Sequence, residues 1–141
     1  MLRRLKELLD GYNLELFYVK MAESGFYYPA AKAVLLNENI YESREENFKL
    51  AHELGHFVER HAELAALYAS SKYRAKFEFE ANKVAITILI NIFVEVELTD
   101  QSQFTIDRFM NFYSIPSKLR YLCDTVSRDY FKLNTASFCE V

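Results

Sequence analysis

The stretch His52-Glu53-Leu54-Gly55-His56 decides how this chain of 141 residues is interpreted. Residues four apart lie on one face of an α-helix, so His52 and His56 can direct two imidazoles at one metal ion. Glu53 can reach a water at that metal as a general base. Two of the three histidines of the chain fall inside this motif. The pattern therefore indicates a catalytic zinc helix, against the alternative of a helix with unrelated surface histidines.

The residues around the motif also indicate a helix. Ser43 and Glu46 have the spacing of an N-terminal capping box. Gly55 is unfavourable inside a helix by about 1 kcal/mol relative to alanine. Its presence indicates close approach of another backbone or a substrate, or close packing of two helices. The apolar residues recur at helical intervals and are Phe48, Leu50, Ala51, Leu54, Phe57 and Val58.

A third metal ligand is expected, because a catalytic zinc usually has three protein ligands and one open position. Glu78 and Asn82 lie four apart in a second helical stretch and share one face. Glu80 lies about 200° around the helix from Glu78, so the two carboxylates cannot both face the metal. We predict Glu78 as the third ligand and Asn82 as the partner that orients a ligating histidine. Glu80 is predicted to be a solvated surface charge.

Two segments together resemble the ImmA/IrrE family of metallo-endopeptidases: residues 47–56 and residues 78–82. Members of that family carry an arginine and a phenylalanine upstream of the His-Glu-Leu-Gly-His segment, and Arg44 and Phe48 occupy those places here. Residues 25–28 and 33–37 resemble the glycine-aromatic turn of the family and its strand ending in asparagine.

The resemblance extends over about residues 14–90, and it contains one departure. Many members continue the second helix into a Phe-Ala and a Leu-Leu-Met-Pro stretch. This chain has Val84-Ala85 and residues 89–92, Leu-Ile-Asn-Ile, in those places. The departure concerns the local path and specificity near the cleft rather than the ligand set.

The resemblance implies a zinc-dependent endopeptidase whose substrate is a helix-turn-helix repressor of a phage or mobile element. Cleavage or removal of that repressor would switch on transcription. The expected fold is α+β and zincin-like. A small sheet packs on the HExxH helix and on a second ligand helix, and C-terminal helices follow.

Hydrophobic periodicity and turn residues place the remaining elements. The spacing predicts a helix over 2–10 and strands over 14–20, 26–28 and 33–36. It predicts further helices over 62–69, 74–94, 105–113 and 117–130. We expect one domain over residues 1–141, with a catalytic core to about residue 98 and a helical extension over about 99–141. The last two helices have the form of a helix-turn-helix, but their weak basic character favours a packing role.

Composition narrows the function classes. The net charge of −3 and pI near 5.7 lack the basic footprint of a duplex-DNA binder. The N-terminus has no signal-peptide pattern, and the apolar run Val84–Val94 is too short to span a bilayer. We therefore expect a cytoplasmic protein, in which Cys123 and Cys139 are free thiols because they lack CxxC spacing. His61 is rotated away from the ligand face and is expected at the surface or at a helix end.

Two functions from different classes fit these residues. In the first, His52, His56 and Glu78 hold zinc, Glu53 is the base of an endopeptidase, and an unidentified tyrosine assists. In the second, the protein is a non-hydrolytic regulator whose zinc site is structural and which binds a repressor or DNA. Glu53 favours the first function, because a structural site has no use for a base between its ligands.

Overall fold

A computed structural model describes residues 2–60, 71–97 and 102–139. Within these ranges, three strands precede or adjoin the motif helix: β1 (Glu15–Val19), β2 (Gly25–Tyr28) and β3 (Ala33–Asn37). Five α-helices are described: α1 (Arg3–Gly11), α2 (Glu46–Val58), α3 (Ser71–Glu97), α4 (Ile106–Tyr113) and α5 (Arg120–Cys139). The predicted α+β fold is confirmed.

The three strands form one mixed sheet in the order β1-β3-β2. β1 runs parallel to β3, with Phe17 opposite Leu35, and β2 runs antiparallel to β3, with Phe26 opposite Leu35. β3 is thus the central strand, and four of its five residues are buried. Among the described residues, β1 and β2 each keep one edge that no strand pairs with.

One buried apolar cluster joins the sheet to the helices. Val34 and Leu36 of β3 belong to the same cluster as Leu50 and Leu54 of α2. α2 packs most extensively against α3, and it also contacts β2 and β3. The motif helix therefore lies between the sheet and α3. This layering positions the two predicted ligand helices side by side.

The second half of α3 packs against the C-terminal helices through aromatic rings. The Phe93 ring meets the Phe109 ring at 5.6 Å and the Tyr113 ring at 6.1 Å, both edge to face. Phe104 completes the contact, with its ring 5.2 Å from that of Phe131 on α5. Edge-to-face pairs of this kind add to the stabilisation that burial provides. The last two helices therefore share a core with α3.

The predicted capping box at the start of α2 is not formed. The helix begins at Glu46, and no side chain caps it. The Ser43 hydroxyl donates to the Ile40 carbonyl and accepts from the Glu45 N–H. The Glu46 carboxylate instead accepts from the Tyr18 hydroxyl at 2.7 Å and from the Glu42 N–H at 3.1 Å. A contact with the sheet, distant in sequence, has replaced the local one.

Most other element boundaries differ from the predictions by a few residues, but α5 ends at Cys139 rather than at residue 130. α3 is longer than predicted at both ends, and a 3₁₀ turn over Ser117–Leu119 precedes α5. The helix predicted over 62–69 and His61 lie outside the described residues. Among the described helices, none combines the length and apolarity needed to cross a bilayer.

Candidate metal centre

Two helices bring His52, His56 and Glu78 together. His52 and His56 lie one turn apart on α2, and their Nε2 atoms are 3.2 Å apart. Glu78 on α3 places Oε2 3.0 Å from His52 Nε2 and Oε1 3.1 Å from His56 Nε2. Among the described residues, these three form the one group of histidine, cysteine and carboxylate side chains close enough to hold a metal ion. Three ligand atoms from two helices thus converge on one point.

The close approach of α2 and α3 depends on Gly55. A Cβ added at this position would lie 2.5 Å from the carbonyl oxygen of Ala81 and 2.8 Å from its Cα. Such distances are too short for any side chain, so glycine is required where the two backbones touch. Ala81 and Ala85 on α3 are fully buried, and their small side chains also permit this approach. The structure therefore supports the close-packing interpretation of Gly55.

The Asn82 side chain sets the tautomer of His52. Asn82 Oδ1 lies 2.7 Å from His52 Nδ1. Because a carbonyl oxygen only accepts, Nδ1 carries the proton and donates it, which leaves the Nε2 lone pair facing His56 and Glu78. Metal-ligating histidines almost always donate their second ring N–H to such a partner. Asn82 is placed as an orienting residue would be.

The three ligand atoms fit a divalent metal ion. For bonds of about 2.0–2.1 Å in tetrahedral geometry, neighbouring ligand atoms are about 3.4 Å apart. The two imidazole nitrogens lie 3.2 Å apart, and each lies 3.0–3.1 Å from a different oxygen of the Glu78 carboxylate, so the observed distances are slightly shorter than this value. Two imidazole nitrogens and one carboxylate also form the ligand set of several catalytic zinc sites, in which the fourth position stays open. A metal ion can be accommodated here by small outward movements.

The negative charges around His52 favour a positive charge at this site. Burial opposes protonation of His52, but the hydrogen bond with Glu78 and the charges of Glu53 and Glu78 outweigh it. The pKa of His52 is therefore raised above its ordinary value. The site thus attracts positive charge, whether as a proton or as a metal ion.

Glu53 lies beside the cluster without belonging to it. Its side chain is buried, and burial raises the pKa of this carboxyl against the opposing effect of both imidazoles. A Cβ built at Gly25 on β2 would lie 3.4 Å from Glu53 Cγ, and the backbone of Tyr27 is also close enough to lower the pKa. Glu53 therefore stands between the metal-binding group and β2.

Glu78 and Glu80 of α3 differ in position, and both side chains are partly exposed. Glu78 reaches the histidines, yet its side chain remains 40% exposed. It lies at the mouth of the site rather than in the core, since Phe79 beside it is also exposed. Glu80 is outside the metal-binding group and is half-buried, with other interactions of its own, rather than fully solvated.

The model of the Peptidase M78 family, described as the IrrE N-terminal-like domain, matches residues 14–118. The chain belongs to this family. The resemblance predicted from the sequence is thereby confirmed, and the match extends beyond residue 90 through α4. No curated protein and no solved structure matches the chain significantly. Membership in this peptidase family, together with the His-His-Glu cluster, identifies a metallopeptidase-type domain with a site suited to a metal ion.

Proposed function

We propose that this protein is a zinc-dependent endopeptidase that acts in the cytoplasm on a helix-turn-helix repressor. The observation that carries the proposal is the convergence of His52 and His56 on the Glu78 carboxylate: the Nε2 atoms lie 3.2 Å apart, and each lies within 3.1 Å of one carboxylate oxygen. The buried Glu53 carboxylate stands next to them without joining them. A purely structural site would not need that additional carboxylate.

The three ligands would hold zinc and leave one position open. Two neutral imidazoles and a carboxylate suit zinc in charge and in ligand type. When bound, zinc supplies Lewis acidity that polarises the scissile carbonyl and favours ionisation of water. Asn82 keeps the His52 ring oriented for this purpose, because its side-chain oxygen accepts from Nδ1 at 2.7 Å.

Glu53 is the proposed general base and acid. Its carboxylate takes a proton from the attacking water, and the resulting carboxylic acid delivers that proton to the nitrogen of the leaving amine. Burial raises the pKa of Glu53 above its ordinary value, which suits a group that must both accept and release a proton. Its position beside the ligand group allows this transfer without displacing a ligand.

We propose that the substrate backbone binds along the free edge of β2. The Asn37 N–H donates to the Ser24 carbonyl, so these residues form a hydrogen-bonded pair of the antiparallel ladder. Such pairs alternate, hence Phe26 and Tyr28 bond to β3, while Gly25 and Tyr27 direct their N–H and C=O groups to the free edge. Gly25 and Tyr27 are the two β2 residues next to Glu53, and the Tyr27 N–H donates to the Glu53 carboxylate, so a substrate strand would pair here through the remaining groups. A peptide added as a strand there would pass the metal centre.

The repressor substrate rests on the ImmA/IrrE resemblance, with support from the charge of the chain. A net charge of −3 does not favour direct binding of duplex DNA, so regulation through a protein target is the simpler route. Strand addition requires an extended segment, so the cleaved bond must lie in a linker or a locally unfolded part of the repressor.

Metal analysis and co-expression together test the proposal. The wild type and Glu53→Gln should each retain about one zinc per chain, because Glu53 is not a ligand, whereas His52→Ala should lose most of it. A helix-turn-helix repressor encoded beside this protein should be co-expressed with it under conditions that induce the phage or mobile element. The wild type should cut this repressor, and Glu53→Gln and His52→Ala should not. Glu59→Gln makes the same chemical change at an exposed position just after α2 and should cut normally.

Two results would reject the assignment. Loss of zinc from Glu53→Gln comparable to that from His52→Ala would make Glu53 a ligand. A repressor that stays intact beside the induced wild type would reject the proposed repressor-cleaving peptidase. Tight, salt-dependent binding of duplex DNA by the chain alone would instead support the non-hydrolytic regulator.

A further inference from the structure

A groove lies along β1, at the edge of the sheet opposite to the β2 edge. It occupies about 620 Å³ between α1 and β1, within the range of roughly 300–1,000 Å³ typical of ligand clefts. The helix wall carries Lys6 and Asp10, the strand wall carries Leu16 and Tyr18, and Glu42 lies at one end. None of these residues belongs to the metal centre.

The strand wall of this groove presents unpaired backbone groups. The Glu15 N–H donates to the Lys32 carbonyl, so Glu15 bonds toward β3. In a parallel pair every second residue bonds to the neighbouring strand, and Phe17 and Val19 follow Glu15. Leu16 and Tyr18 therefore direct their N–H and C=O groups away from β3, into the groove. Each offers one donor and one acceptor to a further strand.

The groove has an excess of negative charge. Four acidic residues line it, but Glu46 is buried and accepts from Tyr18, so three exposed carboxylates stand against the two basic residues Arg3 and Lys6. Arg3 is engaged with Glu7 at 3.4 Å. Among the described residues, Asp10, Glu15 and Glu42 make no ion pair, and all three are exposed. An occupant with basic side chains would be attracted by these carboxylates.

We propose that this groove binds an extended, lysine- or arginine-bearing segment of a partner protein, which adds to β1 as a fourth strand. The backbone of the segment pairs with Leu16 and Tyr18, and its basic side chains lie near Glu15 and Glu42. A groove between a helix and a strand edge is a recurring arrangement for peptide capture by strand addition. The site is independent of catalysis, because β3 separates β1 from β2 and spaces the two edges by about 10 Å.

The alternative is that α1 merely covers the β1 edge, as helices often do to prevent strand-to-strand aggregation. A covered edge would not discriminate between peptides. Peptide binding therefore separates the two interpretations, and it can be measured without any hydrolytic activity.

The probe is a fluorescein-labelled hexapeptide, acetyl-Thr-Lys-Val-Lys-Val-Thr-amide, followed by fluorescence anisotropy with the full chain. A peptide with glutamates in place of both lysines should bind at least about tenfold more weakly. Two further peptides carry N-methyl groups at one or the other alternate set of amides. One of these should lose binding and the other keep it, because a strand pairs through every second residue.

Protein variants locate the site. The double variant Glu15→Lys with Glu42→Lys should bind the lysine peptide about tenfold more weakly or worse. Asp129→Lys makes the same change of charge as each of these two substitutions, on an exposed position of α5, and should bind normally. Glu53→Gln should also bind normally, so the result does not depend on the proposed peptidase activity.

Other outcomes would overturn the inference. Absence of binding, equal binding of the lysine and glutamate peptides, or equal loss with Asp129→Lys would each leave α1 as a simple cover. Tolerance of both N-methylation patterns would exclude strand addition. Concentration-dependent dimerisation that Glu15→Lys with Glu42→Lys abolishes would assign the groove to a second copy of the chain instead.

Discussion

Gly55 of α2 and Ala81 of α3 touch through their backbones, with room for a hydrogen atom but not for a methyl group. A Cβ at position 55 would approach the Ala81 carbonyl carbon to 3.0 Å and its oxygen to 2.5 Å. Glu78 lies one turn before Ala81, and the histidines lie one position after and three before Gly55. The helix contact that excludes a side chain is therefore also the contact that sets the distance between the ligands.

Gly55→Ala should separate the two helices and harm both stability and metal binding. Alanine normally favours a helix over glycine, but here overpacking against α3 should lower the free energy of unfolding by about 1–3 kcal/mol. Gly11→Ala is the matched control, because nothing lies within 4 Å of a Cβ at that position. Urea denaturation and zinc titration measure the two effects. An alanine at 55 that stabilises the protein would contradict the close contact.

Glu78→Ala should weaken metal binding far more than Glu80→Ala. The Glu78 carboxylate lies 3.0–3.1 Å from both imidazole nitrogens, whereas Glu80 is outside the group. Competition with a chromogenic zinc chelator gives both affinities under the same conditions. Equal losses, or a greater loss in Glu80→Ala, would transfer the ligand role to Glu80.

Asn82→Ala should have a milder effect, on the order of 10–100-fold in metal affinity or activity, as for other partners of ligating histidines. The variant removes the acceptor 2.7 Å from His52 Nδ1 while both imidazoles remain. Asn82→Asp should restore much of the loss, since a carboxylate also accepts from Nδ1–H. A loss as great as that of His52→Ala would mean that Asn82 has a role beyond orienting the ring.

Cys123 should make stability fall between pH 9 and 11. Burial raises the pKa of its thiol from 9.0 to about 11, partly opposed by Arg120. The unfolded chain releases this proton earlier, so the contribution is complete below pH 9 and is lost as pH rises through 11. Wild type should therefore lose about 1–3 kcal/mol more over this interval than Cys123→Ala, which loses the group. Parallel decline of the two urea-derived stabilities would exclude this effect.

Periodicity alone made the helical parts of this protein predictable. A period of 3.6 residues places His52 with His56, and Glu78 with Asn82, on common faces, and the structure brings these four residues together. The ligand and base roles themselves stay predictions. The pairing of the strands could not be predicted, because the sequence of a strand does not specify which strand it pairs with. The order of the strands became known only from the structure.

The features that the sequence did not indicate depend on contacts between distant residues. Ser43 and Glu46 match a local capping pattern, yet Glu46 bonds to Tyr18, which is 28 positions earlier in the chain. Likewise, no local signal shows that Tyr27 and Gly25 flank Glu53. Tertiary contacts of this kind override local preferences.

α3 is a single helix of 27 residues, about 40 Å long. Glu78 lies near its beginning, and Phe93 lies in the aromatic core shared with the C-terminal helices near its end. A straight helix moves as one body. If α4 or α5 moved and tilted the C-terminal half of α3 about its contact with Gly55, the Glu78 carboxylate on the other side of that contact would move in the opposite direction. A force on the C-terminal helices would therefore also act on the spacing of the three predicted ligands.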